Sequence, residues 1–288
     1  MTQVTNPTTP QSSVPNPPGT GQLVIGRPAV DNRINGTDGD DIILTFGNND
    51  LIDSRGGNDL VLAGGGNDTI VLGAGNDAGF AGTGNDVVAG GDGDDRIFGG
   101  KGADLLDGGA GNDLVSGDQG NDTALGGSGN DSVYGGQGSD VVGGGEGNDS
   151  VYGGKGNDTV DGGTGNDFVS GDRGSDVLTG GAGNDTFYFA SIGGDFGVDT
   201  IVDFTASEDK IRLKQGGAFA GLGSTFEASE FVVISGFTPA NPGAATANKL
   251  IYDPQSGALY FNAGGPTAVT VAVLQTGLTI TSSNFELF

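Results

Sequence analysis

A carboxylate recurs along this chain at every ninth residue. The series is Asp41, Asp50, Asp59, Asp68, Asp77, Asp86, Asp95, Asp104, Asp113, Asp122, Asp131, Asp140, Asp149, Asp158, Asp167, Asp176 and Asp185. Acids that merely solvate a surface do not fall at one position of a nonamer 17 times running. The whole chain holds 37 acidic and 11 basic residues, a formal net charge of −26. That balance argues against nucleic acid or an anionic membrane as partner, and for cations. There is no His and no Cys. The usual general base, the triad base, the commonest zinc ligand and any thiolate site are therefore missing.

The aspartates sit in a nine-residue unit, G-G-x-G-N-D-x-U-x with U a large aliphatic residue, which runs from Gly36 to Tyr188 without a gap. Gly108-Gly109-Ala110-Gly111-Asn112-Asp113-Leu114-Val115-Ser116 is a clear copy. A period this strict fixes the architecture before any single element is assigned. Positions seven to nine suit a short strand whose central residue points to one side. That residue is mostly β-branched, from Ile43 and Ile52 to Val160 and Val169, as a parallel sheet prefers. Only Gly79 and Ala124 break the column. The six residues G-G-x-G-N-D must turn the chain, and Gly and Asn tolerate the positive φ that turns demand. Two repeats then make an 18-residue coil. Odd repeats stack in one sheet and even repeats in the other, and the U side chains meet in a thin core. Apolar content is 34%, so something besides burial must hold the fold.

Stacking makes the problem that a cation solves. At the ~4.8 Å strand spacing, successive turns line up carboxylates in a self-repelling column beside carbonyls without partners. Ca2+ accepts roughly six to eight oxygens, carboxylate and carbonyl alike, in flexible geometry, whereas Mg2+ demands a smaller octahedron and keeps its waters. Nine odd and eight even repeats leave about fifteen gaps between turns, and fifteen Ca2+ would bring +30 against −26. The expectation is roughly 10–15 Ca2+ ions held by the seventeen aspartates.

The deviations are informative. Thr45, Ser54, Ala63, Leu72 and Ala81 replace the first Gly, Phe46 and Arg55 the second, and Asn48 the fourth. Weak or absent calcium is expected around residues 45–58. Asp118 and Asp172 replace the second Gly six repeats apart, either as added ligands or as residues that tolerate the turn. Position nine of the odd repeats runs Leu44, Leu62, Phe80, Phe98, Ser116, Tyr134, Tyr152, Ser170, Tyr188, a partly aromatic stripe. The same position of the even repeats is smaller and more polar. Such a stripe either packs across strands or offers a surface to a partner.

The flanks differ from the array. Residues 1–22, rich in Pro and Thr, read as a disordered tail. Residues 23–35 hold an N-terminal cap strand at Leu23-Val24-Ile25. Residues 189–288 have ordinary strand signals: Asp199 to Phe204, Glu208 to Leu213, a hairpin from Lys249 to Phe261, Thr267 to Leu274, and an apolar end after Glu286. No apolar run approaches the ~18–20 residues of a membrane span, and residues 1–20 do not read as a secretory signal peptide.

The repeats resemble the RTX, or haemolysin-type calcium-binding, family. Asp199-Thr200-Ile201-Val202-Asp203-Phe204, Asp209-Lys210-Ile211 and Leu250-Ile251-Tyr252-Asp253 resemble the segment that follows such arrays in type I-secreted, serralysin-like proteins. Asn262-Ala263-Gly264-Gly265 stands where that family has an acidic turn, so no calcium site is carried there. The resemblance implies an all-β, right-handed parallel β-roll over residues 36–188, with a β-rich C-terminal cap and secretion-signal region over 189–288. It also implies export by type I secretion machinery. In a cytosol with little free Ca2+ the array is expected to be disordered, and outside to fold. No HExxH or GxSxG motif occurs and only 35 residues precede the array, so no enzyme is expected. The function expected is a secreted or cell-surface structural or adhesive protein, with a glycan, a cell surface or further copies as candidate partners. The alternative is a polysaccharide-binding accessory to a separate enzyme.

Overall fold

The computed structural model describes residues 20–191, 196–215, 219, 221–222, 226–240, 248–264 and 267–288. Most of the tail expected over residues 1–22 lies outside them, as does Gly265. The protein is an all-β solenoid of two sheets, parallel apart from antiparallel pairing between Lys249 and Val273, and helix among the described residues is limited to single 3₁₀ turns such as Ala228–Glu230 and Ser282–Asn284. The chain forms two compact units, residues 1–150 and 151–288.

In the first unit consecutive strands alternate between the sheets, and each pairs in parallel with the strand 18 residues away. Leu105 of Leu105–Ala110 aligns with Val87 on one side and Thr123 on the other. From Leu60–Gly65 onward the strands are six residues long, not three. They cover positions seven to nine and run on through positions one to three of the next repeat. Only G-N-D turns. From Ala63 onward the G-G-x segment joins the ladder with at least one Gly at its first two positions, which lets the backbones approach closely. At position two, Gly91 and Gly109 hold φ of 119° and 105°, and a methyl group on either would collide with the carbonyl of the glycine one coil before. Where positions one and two carry side chains, the strands stop short. Ile42–Leu44 and Leu51–Asp53 have three residues, and Thr45 and Ser54 donate their hydroxyls to the carbonyls of Ala63 and Leu72 at 2.6 and 2.7 Å. Two further strands begin the sheets. Leu23–Ile25 pairs with Ile42–Leu44, and Arg33–Asn35 with Leu51–Asp53.

The core is the U column, fully buried from Ile43 to Val133 in this unit, with position one beside it. Leu72, at position one, explains how Gly79 can lack a side chain. A methyl built on Gly79 would sit 3.1 Å from a Leu72 methyl, so the leucine already fills that space.

The second unit begins within the strand Ser150–Lys155 and keeps the pattern through Thr186–Phe189. Asp199–Ile201 then pairs with Val177–Ala182, and Lys210–Leu213 with Thr186–Phe189. Phe285–Leu287 adds to Lys210–Leu213. The other sheet continues with Val269–Val273, then Ala258–Asn262, Lys249–Tyr252 and Phe231–Val233. Lys249–Tyr252 and Ala258–Asn262 form an antiparallel hairpin, its turn held by Asp253, which accepts the Gln255 N–H and the Ser256 hydroxyl. Phe237, Ile251, Ala258, Tyr260 and Ala268 make a separate small core under it.

Candidate metal centre

Position six closes each turn and drops its side chain into the coil. All seventeen aspartates are buried, none more than 3% exposed. From Gly90 onward position one is Gly and lies close against the carboxylate of its repeat, whereas Asp50 to Asp86 are as deeply buried with Thr45, Ser54, Ala63, Leu72 and Ala81 at that position. A methyl group on Gly90, Gly99 or Gly180 would lie 2.5 Å from Oδ2 of Asp95, Asp104 or Asp185 in the same repeat.

One carboxylate oxygen is used by the stack. Oδ1 of Asp59, Asp77 and Asp95 accepts the backbone N–H of Asp41, Asp59 and Asp77 at 2.7, 2.6 and 2.8 Å. Asp68, Asp86 and Asp104 do the same for Asp50, Asp68 and Asp86. Each aspartate thus reaches back one coil. Position five reaches forward: Asn67, Asn85 and Asn130 donate their N–H groups to Oδ1 of Asn49, Asn67 and Asn112 at 2.8, 2.9 and 2.9 Å. This ladder is why Asn recurs there. The expected role, tolerance of positive φ, is not used, since the described asparagines at positive φ are Asn48 and Asn248.

The second oxygen has no such role. In steps of nine from Asp50 to Asp131, Oδ2 is buried and receives no hydrogen bond. A buried charged oxygen without a partner is strongly unfavourable. Burial, reinforced by carboxylates nearby and opposed in part by the Oδ1 hydrogen bond, pushes Asp59, Asp68, Asp86 and Asp131 up to about 6. The same causes push Asp95 and Asp122 up to about 7. Among the described residues no three acidic or imidazole side chains converge on one point. The oxygens on offer are therefore single carboxylates and the backbone carbonyls of stacked turns, the donors that suit a hard cation of flexible coordination.

The profile of the RTX calcium-binding nonapeptide repeat matches residues 29–61, 46–79, 55–88, 80–115, 116–151, 144–169 and 152–187, together more than half of the chain. The chain belongs to this RTX family. A comparison with curated proteins finds no match. Membership implies Ca2+, and the orphaned Oδ2 atoms fit it.

The ends of the RTX array differ from its middle. Asp41 is already saturated by the protein: its carboxylate accepts the N–H groups of Gln22 and Thr37, both at 2.6 Å, and the Thr37 hydroxyl. At the other end the aspartate columns outlast the repeats. Asp199 and Asp209, 4% and 3% exposed, accept the N–H groups of Asp176 and Asp185 at 3.1 and 3.0 Å. Burial and the Asp176 carboxylate push Asp199 up to about 8. Sequence reading missed both residues. The signal was present as Asp-x-Ile in Asp199-Thr200-Ile201 and Asp209-Lys210-Ile211, but spacings of 23 and 24 residues hid it. Asp118 and Asp172 hold φ of 70° and 64°, so they do tolerate the turn; their Oδ1 atoms accept the Ser116 and Ser170 hydroxyls.

Proposed function

We propose that this RTX protein is folded by calcium outside the cell and then serves as a structural or adhesive element without catalytic activity. The observation that carries the reading is the row of buried Oδ2 atoms without hydrogen bonds from Asp50 to Asp131. In this reading the position-six aspartates hold Ca2+ between stacked turns, together with backbone carbonyls of the Gly-rich turns. Bound there, the ion supplies the counter-charge and coordination that the buried carboxylates lack. Asp41 is assigned to the end of the stack rather than to a full site, because protein donors already occupy its carboxylate. The coils at residues 45–58 bind more weakly, since their strands are short and Asn48 and Arg55 carry the positive φ that glycine takes elsewhere.

Metal sites assembled only by folding make binding free energy into folding free energy. The chain would therefore leave the cell unfolded, through a type I secretion system that reads its serralysin-like C-terminal region, and fold at millimolar Ca2+. The lack of His removes the usual general base, which supports a non-enzymatic part. No described helix is long and apolar enough to cross a membrane. Circular dichroism across a calcium titration tests the core of the proposal. A cooperative gain of β-structure with bound ions is expected, and a roll fully formed in chelator would sink it. A polysaccharide-binding accessory role is the second reading, favoured by the stacked pair Phe80 and Phe98, 5.0 Å apart on the odd face. Calcium-dependent glycan-array binding that disappears on removing these rings would support it.

A further inference from the structure

From Leu60 to Glu146 the two sheets carry opposite surfaces, whereas the first strand of the even sheet, Arg33–Asn35, exposes Arg33. In the first unit the odd strands from Leu60–Gly65 to Ser132–Gln137 present Phe80, Phe98 and Tyr134, with Arg96 and Lys101 exposed. Their one acid, Asp118, is held by the Ser116 hydroxyl at 2.6 Å. The even strands from Thr69–Ala74 to Val141–Glu146 contain no Lys, Arg or aromatic residue. They expose Asp92, Asp107 and Glu146 beside an aliphatic row at position seven, where Val87, Leu105 and Val141 are 42–49% exposed. The expectation of a plain even face was drawn from position nine and missed this row. The second unit, taken by itself, follows the partition in rings and bases. Tyr152, Lys155, Phe168 and Arg173 lie on odd strands, with one acid, Asp172, which accepts the Ser170 hydroxyl, and Asp161 lies on an even strand.

Both surfaces come from one 18-residue coil, so their rows have the same pitch. The odd face has a shallow, open trough lined by Gly82, Gly100, Thr83, Lys101, Gln119 and Gln137, with the single acid Asp118 among them. On the even face Val87, Leu105, Thr123 and Val141 align strand by strand into one row, its three aliphatic members exposed. We infer that these are the two halves of one contact, in which the odd face of one copy receives the even face of another. The inference rests on the calcium-folded roll proposed above. An acidic glycan would match Arg96 and Lys101 but leave the even aliphatic row without a use. A second copy accounts for both faces. The contact is heterologous, so it propagates into stacks or filaments unless the rotation happens to close. Five strands at ~4.8 Å, each ~20 Å long, give on the order of 500 Å² per copy in the first unit. That is the size of a transient contact, sensitive to concentration and salt. Without bound cations, mutual repulsion at −26 opposes it.

The test is small-angle scattering of the full chain in saturating Ca2+, across protein and salt concentration. Wild type should self-associate at low salt. Arg96→Glu with Lys101→Glu should weaken association about tenfold or more, and so should Asp92→Lys with Asp107→Lys, each with unchanged circular dichroism. Mixing the two variants should restore mixed stacks, because the reversed faces now complement each other. A folded chain that stays monomeric overturns the inference, as does association indifferent to both reversals. Binding of chondroitin sulfate by a monomer, lost in the Arg96 and Lys101 variant, would reassign the odd face to a glycan. Failure to fold with Ca2+ would instead sink the calcium reading, and the dichroism distinguishes the two.

Discussion

Acid should do part of what calcium does. The perturbation is pH, applied to metal-free protein. Asp95 and Asp122 sit at about 7 in the folded coil against an ordinary 3.8, because burial disfavours their charge. A folded pKa raised above the unfolded one means stability that is complete below about 3.8 and lost as pH rises through 6–7. Three units on one carboxylate correspond to at most about 4 kcal/mol at pH 8, and less in proportion as solvent screens the charge. At that limit two such groups already match the net stability of a typical domain, roughly 5–15 kcal/mol, and Asp59, Asp68, Asp86 and Asp131 add to the load. The metal-free roll is therefore expected to be unfolded at pH 8 and to regain β-structure near pH 5. Far-UV circular dichroism of metal-stripped protein, with scattering recorded to exclude precipitation, reads this directly. Metal-free protein that is as ordered at pH 8 as at pH 5, or less ordered in acid, would refute the reasoning. It would mean that the Oδ2 atoms are satisfied in a way the coil geometry does not show.

Three other outcomes follow from single side chains. Gly111→Ala puts a methyl group at φ 140° against the Gly93 carbonyl, and should cost at least about 2–3 kcal/mol by thermal melts in Ca2+, whereas Gly143→Ala, which meets only a Leu125 methyl at 3.1 Å, should be tolerated. Asp113→Asn keeps an oxygen to accept the Asp95 N–H but loses the charge, so calorimetric titration should count one or two fewer Ca2+ while acid-induced folding survives; Asp113→Ala should lose both. Ile97→Ala opens a cavity in the thin core and should lower stability by about 2–4 kcal/mol, seen as a lower melting point at saturating Ca2+.

What could be read in advance was whatever the period of nine encodes. The U column gave the core and the alternation of sheets. Asp at position six gave the buried carboxylate row. Strand length was not legible, because G-G-x has no hydrophobic pattern and its pairing comes from close approach of backbones. The Asn ladder was hidden because an amide that bonds the next coil looks, in sequence, like one that tolerates a turn. Leu72 and Gly79 read as two unrelated irregularities until packing showed one filling the space of the other. Asp199 and Asp209 escaped because insertions stretch the coil beyond 18 residues while leaving the Asp-x-Ile register intact.

The two-strand coil also sets the rules by which such a gene can lengthen or shrink. Deleting one nonapeptide keeps every residue in phase with its turn, so the coil still closes. Yet it moves every later strand to the opposite sheet. Loss of a single repeat between Gly65 and Val87 would carry Arg96, Phe98 and Lys101 to the acidic side relative to Leu62. Only the loss or gain of an even number of repeats conserves the segregation of rings and bases from acids. If the faces are selected, the heritable module of this array is eighteen residues, and length variants among related chains should differ by whole coils.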